Sequence, residues 1–235
     1  MNLLISYKSA RLLEILPDKL VDIISHNVVK KCLKKANINV TGTENIDTKN
    51  AVIYVCNHLS NSDGLVLDKV FKDAGTNVSF VAGIKLSKNA YTIIGMHVVN
   101  TILIHPNTAD KDAIMESVKT LKKGKSILIF PEGTRSRKKS MIRAKRGIIL
   151  IRKLSKAPII PVGIHGSEDF MPINDEAMGN EKFYNADVYV NIGKEIQMPD
   201  RNDSESRHEY DERMTEFIMK KVAALLPERY RGVYK

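Results

Sequence analysis

Six short runs rich in β-branched and apolar residues, at 51–56, 78–82, 101–105, 126–130, 158–164 and 187–192, alternate with stretches that suit helices. Such alternation is what successive βαβ units require, with strands covered on both faces and helices returning the chain to the same end of the sheet. It restricts the chain to an α/β fold with a mostly parallel central sheet flanked by helices. Between the third and fourth runs, Asp110 and Asp112 load a helix start. Ile114, Val118 and Leu121 make its apolar stripe, and Gly124 ends it. Residues 141–156 are expected to be helical. Ser204 is placed to cap a last helix whose stripe is Tyr210, Met214, Phe217, Ile218 and Leu225. Residues 166–182, with Pro172, Asn174, Gly179 and Asn180, read as a long surface loop.

The N-terminal stretch has a different pattern. Leu4, Tyr7, Leu12, Ile15 and Leu16 share a helical face, and Pro17 breaks that helix and suits the start of a second. The second carries Leu20, Ile24 and Val28 and ends in Lys30, Lys31, Lys34 and Lys35, cations that complement a helix C-terminus. Residues 1–38 are therefore expected to form a helical hairpin, either docked on the core or lying at an anionic membrane interface. Residues 39–235 are expected to form the α/β domain. No run of about 18 apolar residues occurs, so no transmembrane span is expected. No signal peptide is read, because Lys8, Arg11 and Glu14 interrupt the apolar start. Two cysteines, Cys32 and Cys56, give neither a disulfide framework nor metal-type spacing, which favours a reducing compartment. The net charge of +10 over 235 residues calls for an anionic partner: nucleic acid, lipid surface or phosphorylated substrate.

Two constellations carry chemistry. The first run ends at Asn57 and His58, and the turn that follows leads through Ser60 and Ser62 to Asp63 and Gly64. Ligands of α/β sheets bind at the C-terminal ends of strands. A histidine there can act as general base near neutral pH, and a carboxylate five residues on can curl back to orient its ring. This is a triad without its nucleophile, whose place a substrate hydroxyl would take. The same block also fits a plain helix cap with a hydrogen-bonded loop histidine. A metal site built from His58, Asp63, His97, His105 or His165 fits poorly, since no pair has helical ligand spacing. The second constellation is Phe130, Pro131, Glu132, Gly133, Thr134, Arg135 and Ser136. Gly133 permits close backbone approach, and the Arg135 guanidinium suits phosphate. No acid interrupts the basic stretch from Arg137 to Lys156. No aromatic residue falls between Thr134 and His165, so there is no stacking platform for single-stranded nucleic acid.

Together the two blocks resemble the glycerolipid acyltransferase family, typified by 1-acyl-sn-glycerol-3-phosphate acyltransferases. Asn57, His58 and Asp63 match its N-H-x-x-x-x-D block. Residues 130–136 match its F-P-E-G-T-R-S block throughout. Ala82 to Leu86 and Ile160 to Ile164 trace two weaker blocks, and the resemblance covers about residues 50–195. It implies that His58 takes a proton from the acceptor hydroxyl while Asp63 orients it. Asn57, Ser60, Lys85, Glu132, Gly133, Thr134 and Arg135 would bind substrate, with Arg135 on the acceptor's phosphate. It implies an acyl-CoA or acyl-carrier-protein thioester as co-substrate, a lysophospholipid acceptor, no metal, no further cofactor and no nucleic acid. The setting would be the cytoplasmic face of a membrane, peripheral or monotopic, against an anionic surface, in phospholipid biosynthesis. One departure stands out. Where the family carries a glycine-led strand ending in arginine, this chain has Asn100 and Pro106. The acceptor's identity therefore stays open between lysophosphatidic acid and another lyso-lipid, hydroxyl or amine. A non-catalytic basic module that binds membrane or nucleic acid is the alternative of another class.

Overall fold

The computed structural model describes residues 16–83, 90–104, 111–174 and 181–235. The first expected helix, Lys85, His105, Pro106 and part of the loop before Glu181 lie outside them. The described elements run α1 (Asp18–Leu33), β1 (Ala36–Thr41), β2 (Ile53–Cys56), α2 (Asp63–Asp73), β3 (Val78–Gly83), α3 (Ala90–Val98), β4 (Thr101–Ile104) and α4 (Lys111–Lys122). There follow β5 (Ser126–Ile129), α5 (Gly147–Ser155), β6 (Ile159–His165), the single turn α6 (Ser167–Phe170), β7 (Ala186–Ile192) and α7 (Arg207–Ala224).

The seven described strands form one sheet in the order β1-β7-β6-β2-β5-β3-β4. β6, β2, β5, β3 and β4 are parallel, as are β1 and β7; the two blocks meet at one antiparallel seam between β6 and β7. The sheet is thus the mostly parallel one expected. Alternation explains the layers. Ile53 and Val55 of β2 face a core shared with Val118 of α4, Ile149 of α5 and Ile218 of α7, whereas Tyr54 and Cys56 face Val66, Leu67 and Phe71 of α2. A strand covered on both faces needs the near-continuous apolar run that makes β2 visible in the sequence.

Four expectations are corrected. Residues 36–41 extend the sheet, so a boundary at residue 38 falls inside β1. This edge strand has one neighbour among the described strands, and only small or partly buried Ala36, Ile38 and Val40 pack inward, which leaves a faint signal between polar Asn37, Asn39 and Thr41. α7 is capped by Ser206 rather than Ser204, because Ser206 and Glu209 form a reciprocal capping box. Residues 141–146 form no helix; the helix starts only at Gly147. The segment before Glu181 is not all surface: Phe170 is fully buried, as are Ser167 and Glu168. In α1, Val21, Ser25 and Val29 face inward on Ile94 of α3 and Leu65 of α2, while Leu20 turns outward. A 2.7 Å contact between His97 Nδ1 and Asp22 Oδ1 joins α1 to α3.

Candidate active site

β6, β2 and β5 are adjacent and parallel, so the loops that leave their C-terminal ends converge. Val55 pairs with Ile129 and Cys56 with Val162. The register therefore brings His58, two residues beyond β2, beside the Phe130–Glu132 turn beyond β5 and beside the end of β6. The rings of His58 and Phe130 stack, with centroids 4.2 Å apart.

Asp63 opens α2 and its side chain turns back under the loop. Its Oδ2 lies 2.8 Å from His58 Nδ1, 2.8 Å from the Leu59 backbone nitrogen and 3.0 Å from that of Ser60. Backbone N–H groups only donate, so Oδ2 is an acceptor and Nδ1 carries its proton toward it. The neutral ring then presents Nε2 with a free lone pair. Asp63 is fully buried whereas the His58 side chain is 18% exposed, so the ring is the part of the pair that can meet a substrate. This is the arrangement of a general base with its orienting carboxylate.

The backbone of His58 is held on both sides. Its N–H donates to Glu132 Oε1 at 3.0 Å, and its carbonyl accepts from the Ser136 N–H at 2.9 Å. Glu132 Oε2 accepts from the Ile142 N–H at 2.9 Å. The carboxyl of Glu132 is buried, and desolvation pushes its pKa up from 4.5 to about 7 despite those two donors. Both of its oxygens face the loop backbone. Asn57 is also spent on structure: its side-chain amide donates to the Ile164 carbonyl at 2.8 Å and accepts from the Ile164 N–H at 2.9 Å, continuing the β2–β6 ladder beyond its last strand pair. Ser60 is fully buried, and its hydroxyl donates to the Met171 carbonyl at 2.7 Å. Asn57, Ser60 and Glu132 thus direct these side-chain groups at the protein and shape the loops.

Next to Glu132 come Gly133 and Thr134, both exposed, and the half-buried Arg135. Gly133 has a φ of +70° and lies against the Lys145 side chain, whose Cε and Nζ stand 3.1 Å from where a Cβ would be. Arg135 Nη1 donates to Glu181 Oε1 at 3.1 Å, and the Asn61 amide donates to the same oxygen at 3.2 Å. Glu181 is buried, and no feature of its irregular segment marks it in the sequence. The stacking of Phe130 had a signal, since it opens the second block. Within the basic stretch, Lys139 pairs with Asp169, Lys153 with Asp211 and Arg146 with Glu212. Among the described residues, no three His, Cys, Asp or Glu side chains gather as a metal site.

Sheet order, a histidine–aspartate pair at the strand ends and a glycine–arginine loop beside it define an α/β protein of the H-x-x-x-x-D type. The chain belongs to the acyltransferase family, whose model matches residues 37–165, more than half its length. It is 28% identical over 155 residues to a 1-acyl-sn-glycerol-3-phosphate acyltransferase of Borreliella burgdorferi, covering 63% of this chain and 61% of that protein. A chloroplastic 1-acyl-sn-glycerol-3-phosphate acyltransferase of Arabidopsis thaliana is 30% identical over 147 residues, 61% of this chain and 40% of the plant protein. The chain therefore spans less than two thirds of the length of either relative. The crystal structure of the 1-acyl-sn-glycerophosphate acyltransferase PlsC from Thermotoga maritima has the same fold, with a TM-score of 0.58 at 22% identity, over 88% of this chain and 79% of that one.

Proposed function

We propose that this protein transfers a fatty acyl group from an acyl-CoA or acyl-carrier-protein thioester to the free hydroxyl of lysophosphatidic acid, giving phosphatidic acid. The observation that carries the reading is the convergence of His58 Nδ1 and two backbone N–H groups on one oxygen of Asp63, which leaves Nε2 basic. Nε2 takes the hydroxyl proton as the acceptor oxygen bonds to the thioester carbonyl carbon. The tetrahedral intermediate collapses, the carbon–sulfur bond breaks, and the departing thiolate recovers the proton from the imidazolium. The scheme calls on no metal and no cofactor beyond the thioester. Gly133, Thr134 and Arg135 form the acceptor's side of the site, with the guanidinium on its phosphate. Relatives named for 1-acyl-sn-glycerol-3-phosphate support that acceptor. A second reading, the same chemistry on another lyso-lipid, is favoured by the ion pair that already engages Arg135 with Glu181 and by Pro106 in place of an arginine.

The protein is proposed to work lying on the cytoplasmic face of an anionic membrane. No helix among the described residues is long and apolar enough to cross one. On α1, residues Leu20, Ile23, Asn27, Lys30, Lys31 and Lys34 share an outward arc of about 100°, apolar at one end and cationic at the other. That pattern suits an interfacial helix.

Acyl transfer from labelled palmitoyl thioesters to a panel of lysophosphatidate, lysophosphatidylcholine and lysophosphatidylethanolamine tests both readings. His58→Ala is expected to lower turnover at least about a hundredfold. Equal turnover by variant and wild type would remove the general-base mechanism. Indifference to a phosphate monoester would remove lysophosphatidate as the acceptor.

A further inference from the structure

We infer that the C-terminal tail, residues 228–235, is a positioning element for the active site, bracing His58 through the 141–145 loop and Glu132. The tail consists of two 3-10 turns, Glu228–Tyr230 and Gly232–Tyr234. It lies outside the segment that matches the family, and it is far in sequence from both motif blocks. Its near end is fastened to the body. Tyr230 donates its hydroxyl to Glu168 Oε1 at 2.7 Å, and its ring stacks on His165 with centroids 5.0 Å apart.

From there the tail reaches the loop through its backbone and one hydroxyl. The Tyr230 carbonyl accepts from the Met141 N–H at 2.8 Å, and Tyr234 Oη accepts from the Ala144 N–H at 2.8 Å. The Val233 N–H donates to the Met141 carbonyl at 3.3 Å. Gly232 has a φ of +53°, and a Cβ there would overlap the Met141 carbonyl oxygen, so the approach requires glycine. Between Met141 and Ala144, the Ile142 N–H donates to Glu132 Oε2 at 2.9 Å, and Glu132 Oε1 accepts from the His58 N–H at 3.0 Å. Lys145, next in the loop, donates its N–H to the Pro131 carbonyl at 2.8 Å. A continuous path therefore runs from the tail, through a loop with no helical bonds of its own, to the backbone of the proposed base. Glu132 is the side-chain joint between the loop and His58. A histidine must keep its ring within a few tenths of an ångström of the productive pose, and a second set of contacts is the usual means.

The kinetic consequence rests on the acyl-transfer reading; the structural one does not. In the full chain, Tyr234→Phe removes only the hydroxyl. It is expected to lower kcat about threefold to tenfold, the span of one neutral hydrogen bond, with the acceptor KM unchanged. In a Glu132→Gln background the same substitution should add no further loss, since the joint is already broken. A merely structural tyrosine would instead multiply its loss onto that of Glu132→Gln. Amide hydrogen exchange supplies the second arm. Tyr234→Phe and Gly232→Ala should accelerate exchange at Ile142 and His58 and leave Val188 and Val190 of β7 unchanged. Multiplying losses in kcat, or faster exchange at Ala144 with His58 unaffected, would overturn the brace. Absence of acyl transfer by the wild type would refute the functional reading instead, and the exchange result would then decide the brace alone.

Discussion

Three donors converge on one oxygen of Asp63, while its other oxygen, equally buried, takes none among the described residues. The asymmetry shows what the residue is for: it faces the histidine loop rather than the helix it begins. Glu132 carries the opposite burden. Two N–H groups hold it, yet burial dominates and lifts its pKa from 4.5 to about 7. A carboxyl whose folded pKa lies above the unfolded value confers stability that is complete below about 4.5 and is lost as pH rises through about 7. Glu132→Gln removes this titration. The stability advantage of wild type over the variant should therefore shrink by on the order of 2 to 3 kcal/mol between pH 4.5 and 7.5, at about 1.4 kcal/mol per unit. Urea titrations across that range measure it, and a constant difference would show that the carboxyl does not titrate there. His58 and Asp63 were legible because their spacing lets the carboxylate curl back on the ring across a strand-to-helix turn, and because the second block stands beside the first in the family pattern. The inward aim of Glu132 was not, since a motif names a residue type without saying which way its side chain points. Glu181 left no trace, because nothing in an irregular segment marks a buried acid.

Among the elements, the 141–146 segment shows how tertiary contacts overrule local preference. Met141, Ile142, Ala144 and Lys145 send their N–H groups to Tyr230, Glu132, Tyr234 and Pro131, none of which is a helical partner four residues back. The apolar positions that suggested a longer helix are there, but their donors are engaged elsewhere. The parallel strands buried on both faces were readable as unbroken apolar runs. β1 was not, because an edge strand needs few inward side chains. α1 presents the converse case: its inner face, on Val21 and Val29, is ordinary packing, and its outer face is the informative one. Leu20 and Ile23 are 42% and 60% exposed. Replacing both with serine should weaken binding to anionic vesicles by at least about tenfold, the order expected from losing two partly buried aliphatic side chains. Replacing Lys30, Lys31 and Lys34 with glutamine should instead flatten the dependence on salt. Vesicle sedimentation distinguishes the two, and unchanged binding in both variants would remove α1 from the interface.

At the scale of the molecule, the antiparallel seam divides the sheet into unequal parts. The larger, five-stranded part holds the site at the ends of β6, β2 and β5, and β7 is reached from β6 by a return of the chain in which His165 pairs with Tyr189. β1 alone must pair across nearly the whole domain, Ala36 with Ala186. Closing a longer loop costs more entropy before any contact repays it. In refolding, amides of β1 should therefore gain protection after those of β5 and β3, which pulsed hydrogen exchange can time; simultaneous protection would show that β1 belongs to the folding nucleus. The same pairing has a consequence on the ribosome. β1 and its preceding helix emerge ahead of their partner, which follows about 150 residues later. At about 5 to 20 residues per second, that is a wait of roughly 8 to 30 s. Throughout it a bare strand edge and the helix before it stand open, so whatever shields nascent chains, chaperone or bilayer, meets them before β7 exists.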